Sequence, residues 1–332
     1  MGLLVNGEWR DQWYDTRSSA GRFIRSDSAF RNWVTRDGAP GPSGVGGFKA
    51  APGRYHLYVA LACPWAHRTV IFRRLKRLEG AIGISYVGPA MGGQGWSFDA
   101  GEGPNPGATP DPVNGARHLY EIYCKARPDY TGRVTVPVLW DKESGTIVNN
   151  ESSEIIRMLN SAFDEWGDAA VDFYPRELRA EIDQLNALIY PNVNNGVYRC
   201  GFATTQEAYD EAFESLFATL DELEARLARR RYLLGNRITE ADWRLFTTLV
   251  RFDSVYHGHF KCNLRRLVDY PNLWSYTRDL YQVPGVAETV DLRQIKQHYY
   301  WSQVTVNPSR IVAKGPAIDF GAPHDRARLS TH

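Results

Sequence analysis

The 332-residue chain predicts an α/β domain followed by an all-α domain. Three observations carry that reading. An apolar run, Leu57-Tyr58-Val59-Ala60-Leu61-Ala62, leads through Cys63 into a helical repeat of Val70, Ile71, Leu75 and Leu78 that Gly80 stops. Two more apolar runs, Val134 to Trp140 and Thr146 to Val148, flank a turn at Lys142 to Gly145. From Pro175 onward the apolar residues recur only at helical spacing. The length itself suggests about two domains.

The elements follow in order. Residues 1–52 carry Trp9, Trp13, Phe23, Phe30 and Trp33 among polar residues, then Pro40, Pro42 and several glycines. They read as an extension draped over the body and pinned by its aromatics. Residues 53–160 form one α/β unit. After the first strand and helix comes a strand at Ile82 to Val87. A long Gly/Pro-rich loop, Gly88 to Pro112, holds Trp96 and Phe98. Loops of this length inside a domain are usually functional or disordered, and an idle flexible loop gains nothing from a tryptophan. A short helix spans about Gly115 to Ala126. Pro137 in the next strand marks an edge, a special turn or a cis peptide. Asn149 or Asn150 caps a helix bearing Ile155, Ile156 and Leu159. This order, βαβα then ββα, is that of a thioredoxin-like domain. Residues 161–174 read as a polar linker and 175–304 as an all-helical domain. Within it, Thr204 with Glu207 reads as a capping box, Thr239 to Asp242 as a second N-terminus, and Pro271 as a third. Residues 305–332 read as a polar tail.

Composition excludes several classes. A net charge of +1 gives no argument for nucleic acid or an anionic membrane as partner. The basic run Arg73-Arg74-Leu75-Lys76-Arg77 reads as the solvated face of the first helix. Four scattered cysteines, Cys63, Cys124, Cys200 and Cys262, make no disulfide framework. No apolar signal core or membrane-length stretch occurs, and Glu8, Asp11 and Asp15 weaken a transit-peptide reading. A reducing, cytoplasmic setting is expected. The aromatic content of 13% fits a large core or a pocket for flat ligands.

Cys63 carries the chemistry. At a helix entrance it meets unpaired N–H groups and the positive end of the helix dipole, which favour a thiolate and lower the cysteine pKa. Pro64 suits the first helical position, and Arg68 adds charge about one turn on. A buried structural cysteine has no need of this setting. Thioredoxin-type motifs carry a second cysteine three positions on, where this chain has Ala66. A mixed disulfide on Cys63 therefore needs an outside thiol to resolve it, and glutathione is the abundant one.

A thioredoxin-like domain followed by a helical one resembles the glutathione transferases. Cys63-Pro64-Trp65-Ala66-His67-Arg68, Trp96, Arg133-Val134-Thr135-Val136-Pro137, Glu151-Ser152-Ser153 and Asn194-Asn195-Gly196-Val197-Tyr198 together look like the Xi class, the glutathionyl-hydroquinone reductases. The likeness runs from the extension to about Asn307. It implies glutathione as co-substrate, no metal, and a homodimer. It also implies reductive cleavage of a thioether, with Cys63 attacking the sulfur of a glutathionyl-hydroquinone. Tyr198 matches the family's proton donor. Tyr256 and Tyr299 match tyrosines that hydrogen-bond the thiolate, although adjacent Tyr300 can take the place of Tyr299. For glutathione itself, the N-terminus at Glu151 and Ser152 suits the α-carboxylate, and the Glu151 carboxylate suits the ammonium. These two residues also fit an ordinary helix cap, and the roles are compatible. Val136, held extended before Pro137, offers its backbone to the cysteinyl residue. Arg133 can meet a ligand carboxylate, and Trp96 can cover the ligand or anchor its loop.

Two other signals carry less. His257-Gly258-His259 with Cys262 lacks paired zinc-ligand spacing. Gly92-Gly93-Gln94-Gly95 lacks a P-loop lysine. The competing readings are an Omega-like thioltransferase or dehydroascorbate reductase, and a non-catalytic binder of aromatic glutathione conjugates. A preference for simple mixed disulfides would favour the first, and an unactivated Cys63 the second.

Overall fold

The computed structural model describes residues 2–98 and 103–330. Residue 1 of the extension, residues 99–102 of the Gly88–Pro112 loop, and residues 331 and 332 lie outside the described residues. The chain divides into two units that alternate along the sequence. The first comprises Met1–Trp13, Ser26–Asp172 and Arg293–Gln303; the second comprises Tyr14–Arg25, Phe173–Leu292 and Val304–His332.

In chain order the first unit contains β1 (Leu3–Val5), β2 (Glu8–Arg10), β3 (Tyr55–Val59), α1 (Pro64–Leu75) and β4 (Gly83–Tyr86). Then come α2 (Leu119–Ala126), β5 (Gly132–Arg133), β6 (Val138–Asp141), β7 (Thr146–Asn149) and α3 (Ser152–Ser161). The main sheet has the order β4-β3-β6-β7. β3 and β4 are parallel across the α1 crossover, while β6 runs antiparallel to both β3 and β7. This is the thioredoxin-like arrangement. Every residue of β3 and of β6 is buried, which is why these strands read as near-continuous apolar runs.

β6 is a central strand, so the edge-strand option for Pro137 is overturned. A proline there would remove a ladder hydrogen bond. The strand instead begins at Val138, and Val136–Pro137 is a cis turn ahead of it. α1 ends at Leu75, earlier than Gly80, and Arg77 turns the chain at φ 54°. Nor is the basic run a solvated face throughout. Lys76 is fully buried, and its Nζ donates to Asp164 at 3.0 Å and to the Val171 carbonyl at 2.6 Å. Arg73 turns back to the Ile82 carbonyl at 2.7 Å.

The extension is anchored by a ladder as well as by aromatics. β1 pairs with β2 and with β5. Trp9 stacks on Tyr120 at 5.1 Å, and Phe30 packs on Tyr123 and Tyr130. The two asparagines read as caps serve this anchoring. Asn149 Nδ2 donates to the Asn32 carbonyl at 2.9 Å, and Asn150 Oδ1 accepts from the Phe30 N–H at 3.1 Å. The cap of α3 is Glu151.

The second unit is helical: α4 (Arg179–Ile189), α5 (Gly196–Gly201), α6 (Gln206–Leu227), α7 (Glu240–Leu249) and α8 (Pro271–Tyr281). α7 is buried on all sides, and its expected N-terminus at Thr239 is a capping box. The Asp242 carboxylate accepts from the Thr239 N–H at 2.8 Å and from the Tyr276 hydroxyl at 2.8 Å. The cap of α6 is Thr205, one residue later than expected, with its hydroxyl accepting from the Ala208 N–H. Thr204 is taken up by the N-terminal segment, where it bonds the Thr16 hydroxyl at 3.0 Å and the Gly21 carbonyl at 3.0 Å. The stretch read as a tail is docked. Arg326 is fully buried and donates to the carbonyls of Leu227 (2.8 Å), Arg230 and Arg231 (2.7 Å), closing the end of α6. Among the described residues no helix is long and apolar enough to cross a membrane.

Candidate active site

Cys63 is the N-cap of α1. Its backbone is extended at φ −80° and ψ 122°, Pro64 takes the first helical position, and the Cys63 carbonyl accepts the His67 N–H at 2.9 Å. The side chain therefore stands at the positive end of the helix. Its Sγ lies 3.7 Å from the Val136 carbonyl, on the turn before Pro137. Cys63 is buried, with 8% of its surface exposed.

The N-terminus of α3 belongs to the same unit. Glu151 Oε1 accepts from the Ser153 N–H and hydroxyl, each at 3.0 Å, and Oε2 accepts from the Ser28 hydroxyl at 3.1 Å. Burial pushes the Glu151 carboxyl up, but the Ser153 bonds, the Arg68 charge and Ser28 outweigh it and hold it below its ordinary range. Arg68 is fully buried. Its guanidinium lies 4.7 Å from the Trp65 ring centroid, with Nη1 3.4 Å from Ser152 Oγ. It thus ties the helix that begins after Cys63 to the one that begins after Glu151.

Trp96 is buried and stacks on His298, with centroids 4.8 Å apart and planes at 15°. His298 Nδ1 in turn donates to the Pro89 carbonyl at 2.9 Å, and Ser302 Oγ accepts the Met91 N–H at 2.9 Å. The segment Arg293–Gln303 thereby fastens the described part of the Gly88–Pro112 loop. Tyr299 is buried within a π-helical turn, Gln297–Trp301, and packs edge-on to His298 at 5.1 Å. Tyr300 is half-buried, and burial raises its phenol above the ordinary value. Arg133 donates to the Gln12 carbonyl and, at 2.9 Å, to the Trp13 carbonyl.

In the helical unit Tyr198 and Tyr256 come together, with ring centroids 6.1 Å apart. Tyr198 lies in α5, just after a π-helical turn at Tyr190–Asn194. Tyr256 ends another such turn, Phe252–Tyr256, and stacks on Phe260 at 5.5 Å. Phe23 and Arg25 of the N-terminal segment reach the Tyr198 ring. Sequence reasoning missed Ser28, His298 and Arg25. The extension gave no local signal for the first or the last, while His298 sits beside Tyr299 in Gln297-His298-Tyr299-Tyr300-Trp301. Among the described residues no group of His, Cys, Asp and Glu side chains is arranged to hold a metal.

The sequence matches the glutathione S-transferase N-terminal domain over residues 62–162 and the glutathione S-transferase C-terminal domain over residues 206–279. It is 57% identical over 326 residues to the glutathionyl-hydroquinone reductase YqjG of Escherichia coli K12, covering 98% of each chain. The glutathione-bound structure of YqjG superposes with a TM-score of 0.90 at 54% identity, covering 98% of this chain and 99% of that one. A Xi-class transferase from Natrialba magadii gives a TM-score of 0.89 at 50% identity, over 99% and 98% of the two chains. With these likenesses over nearly its whole length, and with a cysteine capping a helix beside a cis-proline turn on a thioredoxin-like sheet, the chain belongs to the Xi-class glutathione transferases, the glutathionyl-hydroquinone reductase family.

Proposed function

We propose that the chain reduces glutathionyl-hydroquinones to hydroquinones with glutathione. The observation that carries this is Cys63 itself: a helix-capping cysteine next to Val136, with Ala66 where a resolving cysteine would stand. The glutathione-bound relative supports glutathione as the ligand.

In the first step the Cys63 thiolate, favoured by the helix N-terminus, attacks the substrate sulfur. A bond forms between the two sulfurs, and the carbon–sulfur bond breaks. Its electron pair, carried by the ring, takes a proton at carbon. Hydroquinone leaves, and Cys63 stays joined to glutathione. The ring proton needs a donor that remains protonated at neutral pH, and a phenol with a reference pKa of ~10 suits this. Tyr198 is assigned that role, with Tyr256 and Tyr299 donating hydrogen bonds to the thiolate. In the second step a free glutathione thiolate attacks the mixed disulfide, releasing oxidised glutathione and the Cys63 thiolate. The sum consumes one conjugate and one glutathione.

For the tripeptide, Ser152 and the α3 N-terminus take the α-carboxylate, Glu151 takes the ammonium, and the Val136 backbone pairs with the cysteinyl residue. Trp96 and Arg133 border the ligand in this reading. A cytoplasmic homodimer completes the proposal.

The test is a single turnover without free glutathione. One equivalent of hydroquinone per chain and a glutathionyl adduct mapped to Cys63 are expected. Release of hydroquinone from a Cys63→Ala variant would overturn the mechanism, and a strong preference for a simple mixed disulfide over the conjugate would favour a thioltransferase.

A further inference from the structure

We propose that Arg25 is a positioning residue for proton transfer from Tyr198, holding the ring in place and supplying the charge that steadies the phenolate left behind. The inference rests on the assignment of Tyr198 as proton donor and extends it to a residue of the N-terminal segment.

Three contacts carry it, all within the helical unit. The Arg25 guanidinium carbon lies 5.0 Å from the Tyr198 ring centroid and 5.4 Å from that of Phe23. Arg25 Nε donates to Asn195 Oδ1 at 3.1 Å. Asn195 closes the π-helical turn, its N–H donating to the Tyr190 carbonyl at 2.8 Å, and its own carbonyl accepts the Arg199 N–H at 2.9 Å to open α5. Arg25 therefore grips the first residue of the turn that carries Tyr198 and also lies against the ring.

The neighbouring cations are engaged elsewhere. Arg22 and Arg199 both bond Glu211, at 2.9 and 2.8 Å. Phe23, Phe202 and Phe260, which pack on Tyr198, are neutral, and Tyr256 beside it is a titratable ring. Arg25 is half-buried, so its charge is only partly screened. When Tyr198 gives its proton to the ring carbon, negative charge appears on a ring already facing a guanidinium. A cation–ring contact strengthens at that moment, and an interaction stronger in the transition state than before it accelerates the step.

The charge matters only for carbon–sulfur cleavage, because the second step needs no proton donor of this kind. Stopped flow with a glutathionyl-hydroquinone times hydroquinone release, and added glutathione then times discharge of the mixed disulfide. Arg25→Met should slow the first step about 5- to 30-fold and leave the second unchanged. Arg25→Lys, which keeps the charge, should restore the first step to within about threefold of the parent. In a Tyr198→Phe background Arg25→Met should add nothing further. An unslowed first step in both Arg25 variants, equal slowing of both steps, or a full Arg25 effect without the Tyr198 hydroxyl would overturn the inference. A Tyr198→Phe variant that cleaves at the parent rate would instead overturn the proton-donor assignment beneath it.

Discussion

Replacing Glu151 with glutamine separates the cap that its carboxylate forms from the ligand role proposed for it. As a cap it accepts from the Ser153 N–H at 3.0 Å, and a glutamine amide oxygen can do the same. In the proposed ligand role it would offer a negative charge to the glutathione ammonium, which glutamine cannot. A hydrogen bond to a charged partner contributes about 1.5–3 kcal/mol, against a cap loss held below about 1 kcal/mol when an acceptor remains. At 1.4 kcal/mol per tenfold, glutathione should bind about 10- to 100-fold more weakly, while thermal unfolding barely moves. Calorimetric titration with glutathione and a melting curve read the two effects independently. Unchanged affinity would refute the ammonium role, and a collapse in stability would show that capping dominates. The pH dependence has a definite sign. The folded carboxyl sits below its ordinary range, so the charge it supplies is complete above the unfolded value of ~4.3. Both affinity and the stabilisation are lost only as pH falls through the lower folded value.

Three further outcomes are expected. Cys63→Ala should lose hydroquinone formation to background while keeping its fold, since removing one small buried sulfur costs about 1 kcal/mol; circular dichroism and a turnover assay decide it. His56 is buried beside Ser85 at 2.8 Å, and burial lowers its imidazole to about 4. The unfolded chain, with a histidine near ~6.5, binds the extra proton first, so stability should fall by up to ~3 kcal/mol as pH drops from ~6.5 to ~4. His56→Gln should flatten that slope in urea titrations, and an unaltered slope would place the proton uptake elsewhere. Arg326→Ala removes the donor shared by three carbonyls at the end of α6 and should lower stability by about 3 kcal/mol in urea unfolding, without touching the Cys63 chemistry.

What could be read in the sequence was whatever local physics decides. Cys63-Pro64 announces a helix entrance because a missing N–H costs nothing there, and the structure has that cap. Thr239 to Asp242 carries its own cap, and the helix N-terminus expected there forms. Pro137 signalled an irregular place, but the centrality of β6 depends on partners far along the chain. The same holds for each misread cap. Thr204 and the Asn149-Asn150 pair have good capping side chains, but N-terminal residues more than a hundred positions away claim them. Lys76 reads as solvent-facing until Asp164 is known to wait for it. The likeness to a family named the candidate residues, but periodicity could not supply Arg25 or His298, whose partners lie in distant segments.

Three five-residue turns, Tyr190–Asn194, Phe252–Tyr256 and Gln297–Trp301, share a wider winding than the helices beside them. An α-helix advances about 100° per residue, so each extra residue accommodated in a wide turn swings everything after it by about that angle. Tyr256 and Tyr299 lie within such turns, and Tyr198 follows one by four positions. Excising a single residue from any of them would let ordinary winding resume with the backbone hydrogen bonds intact, yet rotate a phenol away from where it now points. On the roles proposed for the tyrosines, shortened variants of this kind should lose turnover with every tyrosine retained, which makes the insertions themselves, more than the identity of the tyrosines, the hardest part of the design to reach by point substitution.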